Sequence, residues 1–242
     1  MASITEAFDS TIKEPFTGIK IILWAIPLSI VSSSNNKFVT TVFIPLLFIL
    51  VLGYVVDLGH NVISKKGVIV PGIDLKSMFL TGFVALLSLS PYLLFAFIIF
   101  MSFSFFNLPW ELWDKTLKIV LSLFAISIPL TALAILIRRK NVLEVYNPVK
   151  MLQGFGEIYL SFSFFLVKMA VWTAIIIGFL SLVFSIFIGF NNSFWHYITI
   201  MYAFVFITLA ANMVAQISEE IYSFREAEEN KIKMQKEMDK LK

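Results

Sequence analysis

Apolar runs long enough to cross a bilayer recur through this chain, and no soluble core can absorb so many of them. A helix needs about 20 mostly apolar residues to cross the roughly 30 Å hydrocarbon layer. Six segments meet or approach that length: residues 17–31, 38–56, 79–106, 117–137, 158–190 and 195–215. The first is short, with Lys20 near its start and Pro27 near its end. The third contains Ser90-Pro91, which predicts a kink, and the fourth contains Pro129. The fifth reads as one long tilted helix because no turn signal interrupts it; a span with an interfacial extension is the other reading.

Backbone exposed to lipid must satisfy its own hydrogen bonds, and these runs are too long and too evenly apolar for barrel strands, which alternate over about ten residues. The expected fold is therefore an all-α membrane protein. A bundle of six transmembrane helices occupies residues 1–216, with amphipathic cytoplasmic connectors, and residues 217–242 form a charged helical tail. Composition agrees, since the chain is 59% hydrophobic and 14% charged, against about 25% charged for soluble domains. Met1 to Lys13 is polar and mixed in charge, with no small-residue cleavage site after the first apolar run. The first span is thus expected to remain in place.

Lys and Arg in alternate connections set the orientation of such a bundle. One side would hold Lys13, Lys20, Lys65, Lys66, Lys76, Arg138, Arg139, Lys140, Lys150 and the basic residues of the tail, fifteen in all. The other side would hold Lys37, Lys115 and Lys118, with Lys168 left inside a span. Both termini are expected in the cytoplasm, and the chain in the cell membrane. On the outer side, Trp110 and Trp113 lie three apart and Trp195 and Tyr197 open the last span, positions suited to rings at headgroup level.

Prolines precede each odd-numbered span in half-polar lead-ins, EPFTGIK at Pro15, VPGIDLKSM at Pro71 and NPVKMLQGFGE at Pro148. This irregular rhythm suggests three helical hairpins, each entered along the inner leaflet. The tail lacks Gly and Pro, and its apolar positions (Ile217, Ile221, Phe224, then Met234, Met238, Leu241) cover too few heptads for a coiled coil. A solvated or membrane-grazing helix is the expectation; a surface for a protein partner is the alternative.

Catalytic signatures are missing from the sequence. There is no HExxH, GxSxG or Walker loop, and QGFGEIY holds only a fragment of a dinucleotide fingerprint. The absence of cysteine removes thiolate nucleophiles and Cys-based metal sites, and two histidines, His60 and His196, leave little for another metal. Asp57 and His60 are three apart, a minimal acid-base pair, but with no third group they read as interface polarity. No enzyme activity, cofactor, metal or nucleic-acid partner is expected. Lys168 and Asn212 are the polar candidates within spans. Lys168 admits snorkelling to the cytoplasmic interface, pairing with a carboxylate such as Glu157 or Asp57, or a role in transport. For Asn212, an interhelical hydrogen bond is the plainest use.

The order of elements from Glu14 to Pro91 resembles an archaeal and bacterial membrane family catalogued as domain of unknown function 4013. The residues that carry the likeness are EPFTGIK, Gly53-Tyr54 closing the second span, Asn61-Val62 before SKKG, Pro71 and Asp74 in VPGIDLK, and Gly82; NMVAQISEEIY is similar to the family's closing segment. Where the family often has Arg after Gly-Tyr and Asp-Asp-Trp in the connector, this chain has Asp57 and Gly-Ile-Asp. The resemblance implies a multi-pass membrane protein and brings no catalytic residues with it.

The functional expectation is a non-enzymatic membrane-organising, lipid-interacting or accessory subunit. Lys65, Lys66, Arg138, Arg139 and Lys140 would meet anionic headgroups, at about 1 kcal/mol per basic residue. The rival is a transporter or permease for a lipid or other hydrophobic solute, its path lined by Lys168 and Asn212.

Overall fold

The computed structural model describes residues 11, 17–34, 36–64, 70–104, 111–139, 142–187 and 192–240. They form seven helices: α1 (Thr17–Ser32), α2 (Lys37–Ile63), α3 (Leu75–Ser104), α4 (Glu111–Arg139), α5 (Val142–Val145), α6 (Pro148–Phe187) and α7 (Asn192–Lys240). No strand occurs among the described residues. Helices α2, α3, α4, α6 and α7 are each long and apolar enough to cross a membrane, whereas α1, at 16 residues, is shorter.

Local chemistry sets several of the helix starts. Asn36 precedes α2 and its side-chain oxygen accepts from the Phe38 N–H at 3.0 Å. Asp74 does the same for the Ser77 N–H at the start of α3, at 3.2 Å. At α6, Asn147 accepts from Val149 N–H at 3.0 Å while Pro148 takes the first helical position, where its missing N–H has no partner to lose. The lead-in NPVKMLQGFGE is therefore the first turns of α6, and that helix runs unbroken for 40 residues. In the same way α7 continues from the last apolar run into the charged segment as one helix of 49 residues.

The helix of α3 continues through Pro91. A proline leaves the carbonyl four residues back without its donor, which here is that of Leu87. The Ser90 hydroxyl donates to that carbonyl at 2.9 Å and supplies the bond. Other hydroxyls in the spans are also spent on their own helices: Ser88, Ser122, Ser127, Thr131 and Ser163 each donate to the carbonyl four residues earlier, at 2.7–2.8 Å.

In the middle of the bundle α2, α4 and α7 contact one another, with α3 packed on α2 and α4, α1 on α2 and α7, and α6 on α4 and α7. Burial is concentrated toward one end. Residues 131–137 of α4 and 211–215 of α7 are buried without interruption, and so are 53–56 of α2. The other half of α2 is open, with Phe38, Val42, Phe43, Ile44 and Leu46 exposed. On a soluble protein apolar surface on this scale would be an aggregation hazard; on a membrane bundle it is the face that meets lipid.

Glycines explain how the buried end closes. A Cβ placed on Gly53 would lie 1.9 Å from the carbonyl oxygen of Met78, and one on Gly82 would lie 1.8 Å from the carbonyl oxygen of Ile49. The backbones of α2 and α3 thus touch in both directions, which only glycine permits. Gly59 faces Ile137 in the same manner, at 2.7 Å. Because the neighbours of Gly53 and Gly82 are main-chain atoms, the helices themselves must separate to admit a methyl group. Gly53→Ala and Gly82→Ala should each lower stability by about 1–3 kcal/mol, seen as a lower unfolding midpoint in detergent. Gly156→Ala, where nothing lies within 4 Å of the added carbon, should be neutral or stabilising by up to about 1 kcal/mol. Equal midpoints for all three would remove the close crossing from the account.

Candidate functional site

Next to the glycine crossing, three aromatic rings from three helices meet. Trp24 of α1 lies 5.8 Å from Tyr54 of α2 and 5.7 Å from Phe204 of α7, and Tyr54 and Phe204 are 5.0 Å apart, centroid to centroid. Tyr54 is wholly buried, and its hydroxyl meets the Thr208 hydroxyl at 3.1 Å. Thr208 gives its single proton to the Phe204 carbonyl at 2.9 Å, so the Tyr54 hydroxyl is the donor between them.

One turn further along α7 a second polar group is wholly buried, Asn212. Its amide nitrogen donates to the Thr11 hydroxyl at 3.0 Å, and its oxygen accepts from the Gln216 amide at 3.1 Å. The Thr17 hydroxyl in turn donates to the Thr11 carbonyl at 2.9 Å. Asn212 thus ties Thr11, ahead of α1, to α7. Thr208, Asn212 and Gln216 stand four apart, so they form one stripe of α7. That four-residue spacing is the sequence signal for the network. Beside the stripe, a cavity of about 260 Å³ is lined by Thr11, Thr17, Gly18, Ile21, Val205, Thr208 and Leu209. Two polar atoms of this region, Trp24 Nε1 and Gln216 Oε1, are buried with no hydrogen-bond partner.

Lys168 lies elsewhere. It is on the exposed side of α6, among the exposed Phe164, Val167, Val171 and Trp172. Neither the 260 Å³ cavity nor the larger groove described below is lined by it. The structure does not bring Lys168 and Asn212 together, since one is on the outer surface and the other is inside. Arg138, half-buried at the end of α4, faces Glu219 and Tyr222 of α7. Lys65, Lys66 and Lys140 lie outside the described residues, as does the side chain of Arg139. The His60 ring meets Ser64 at 3.4 Å, and among the described residues no cluster of three His, Asp or Glu converges on a metal site.

A groove of about 500 Å³ opens between α3, α4 and the elbow where α5 turns into α6. Phe95, Ile99, Phe124, Ile128, Leu152 and Phe155 supply most of its apolar wall, with Tyr92 and Tyr146 stacked at 6.1 Å. The Tyr92 hydroxyl donates to the Val145 carbonyl at 2.7 Å and so fastens the elbow to α3. At the elbow, the Lys150 ammonium meets the Glu144 carboxylate at 2.8 Å. Nothing in the sequence pointed to this groove.

No family model matches the chain, and neither a curated protein nor a solved structure does so. The polar stripe makes a measurable claim of its own. Asn212→Leu removes the hydrogen bonds to Thr11 and Gln216 and should destabilise the protein by about 0.6–1.7 kcal/mol, the range from average to largest for interhelical hydrogen bonds in membranes. Tyr54→Phe, which loses one bond, should cost less. Thermal midpoints in detergent that rank these two in the opposite order would contradict the network.

Proposed function

We propose that this chain is a six-span, non-enzymatic protein of the cell membrane with both termini in the cytoplasm, acting as a membrane-organising, lipid-interacting or accessory subunit. The observation that carries this reading is where the polar groups sit. Inside the bundle Asn212 bonds Thr11 and Gln216, and Thr208, Thr131 and Ser218 donate to nearby carbonyls, as when Ser218 donates to Ala134 at 2.8 Å, while Trp24 Nε1 and Gln216 Oε1 are buried without a partner. The outer faces are apolar. Such an interior supports a scaffold more than a polar pathway, because a pathway needs polar groups turned toward a space that a solute can enter.

Helix α1 supports the sixth crossing despite its length. At its end the Ser32 hydroxyl meets His196 at 2.8 Å, and before its start Thr11 bonds Asn212. Helix α1 therefore runs beside α7 with the chain direction reversed, Ser32 at His196 and Thr17 and Gly18 at the cavity shared with Thr208 and Leu209, a stretch of α7 of about 18 Å at 1.5 Å per residue. A crossing by both gives an even number of spans, and the excess of Lys and Arg then favours cytoplasmic termini. A solute path shared by Lys168 and Asn212 draws no support from this geometry. Lys168 is exposed on α6, which agrees with a side chain that snorkels toward the cytoplasmic headgroups.

The chain has no cysteine, so single thiols can be introduced without further change. Asn36→Cys should react with a membrane-impermeant maleimide on intact cells, and Lys76→Cys should react only after the cells are opened. The reverse pattern would overturn the orientation, and reaction of both from outside would overturn the crossing of α2. Lys168→Met should leave yield and unfolding midpoint within about 0.5 kcal/mol of the parent, as expected of a surface position. A larger loss would require a partner for Lys168.

A further inference from the structure

We infer that the outward face of α6 is a docking surface for a transmembrane helix of a different protein, one that carries a carboxylate within the bilayer, and that Lys168 is the residue it pairs with. This rests on the accessory-subunit reading above and gives that reading a partner of stated chemistry.

Helix α6 has two seams. Ile158, Phe162, Phe165 and Met169 are buried at spacings of 4, 3 and 4, and they belong to the core of the bundle. Leu160, Phe164, Val167 and Val171 are exposed at the same spacings of 4, 3 and 4. That is the repeat with which one helix packs along another. Lys168 is exposed beside Val167 and Val171, and among the described residues nothing pairs with it.

Two contacts fix the depth of Lys168. The Tyr222 hydroxyl of α7 meets the Lys150 carbonyl, and Phe206 meets Phe165 with ring centroids 5.3 Å apart, so α6 and α7 run antiparallel. Three residues on, Lys168 is level with Ala203, inside the apolar run 195–215 of α7. At 1.5 Å per residue it lies about 12 Å from one end of that run and about 18 Å from the other. A helical side chain leans toward the N-terminus of its helix, which for Lys168 is the longer way. Snorkelling in that direction leaves the ammonium of a four-carbon stem within the hydrocarbon, where an unpaired charge is costly.

Charge and depth together select the occupant. A lipid phosphate lies at the headgroups, short of this depth, whereas a carboxylate on a second helix is carried to it. A second copy of this chain has none to offer, since no Asp or Glu occurs in any of its six apolar runs. The carboxylate therefore comes from a different protein, and the exposed seam of α6 gives its helix a track on which to lie. Pairing inside the bilayer is the usual state of ionisable groups in spans, and it meets the need of both charges at once.

The test uses the full chain in phosphatidylcholine vesicles and a synthetic transmembrane peptide of Leu and Ala with a single central Asp, labelled at one end with an acceptor fluorophore. Leu152→Cys, an exposed position near the start of α6 and outside the seam, carries the donor. At about pH 8, well above the ordinary Asp range, energy transfer should show the Asp peptide bound about threefold more tightly than one with central Leu, the ratio that an average interhelical hydrogen bond in membranes gives. It should also bind more tightly than a peptide with central Asn. Lys168→Met should reduce the Asp peptide to the level of the Leu peptide, and Lys168→Arg should keep the preference.

Equal binding of the Asp peptide and either control, or a preference that survives Lys168→Met, would overturn the site. Loss of the preference when a minor fraction of phosphatidylglycerol is added would assign the ammonium to lipid phosphate instead. Disulfide-linked dimers of unlabelled Val171→Cys in native membranes would assign the seam to a second copy of the chain. Each of these outcomes removes the α6 site and leaves the accessory-subunit reading standing, because that reading rests on the interior of the bundle.

Discussion

Helices α2 and α3 are in main-chain contact at Gly53 and Gly82, and the packed end of the molecule depends on that contact. In lipid, hydrocarbon is as good a neighbour as a leucine side chain, so association needs close packing and hydrogen bonds rather than escape from water. The reciprocal fit of Gly53 against Met78 and Gly82 against Ile49 supplies the packing. It also places Tyr54, next to Gly53, among Trp24, Phe204 and Thr208. Gly59 against Ile137 brings α4 to the same end, and the buried run 131–137 follows.

Polar atoms complete what the glycines begin. Thr11, Asn212 and Gln216 form a short relay in which every described bond has an assigned direction. Ser88, Ser122, Ser127 and Ser163 return their hydroxyls to their own backbones, and Ser90 does so where Pro91 would leave a carbonyl bare. The open features of the bundle include the cavity between α1 and α7 and the groove beside α3 and α4.

Much of this was legible in the sequence, for a physical reason. Hydropathy reports the solvent a segment requires, so the five long apolar helices and the short first one could be read directly from the runs around residues 38, 79, 117, 158 and 195 and from residue 17. Hydropathy does not report backbone state. Helix α6 therefore begins ten residues before its apolar run, at the Asn147–Pro148 start, and α7 continues far beyond the end of its own. Asn212 was visible as a polar residue in an apolar segment. Its partner Thr11, 201 positions away, was not, because such a pairing depends on how α1 and α7 meet. The groove was hidden for the same reason: its elbow is set by Tyr92 reaching Val145, a contact between residues 53 positions apart.

The continuity of α7 has a mechanical consequence. A helix of 49 residues is about 74 Å long, and it has no joint at which its charged end could turn independently of its buried part. With Thr208 and Asn212 clamped in the core, each position of the tail has a fixed bearing around the helix axis. Whatever touches the tail from the aqueous side therefore meets a face already aimed by the membrane domain. A torque applied there acts, in turn, on the bonds that hold Asn212 to Thr11.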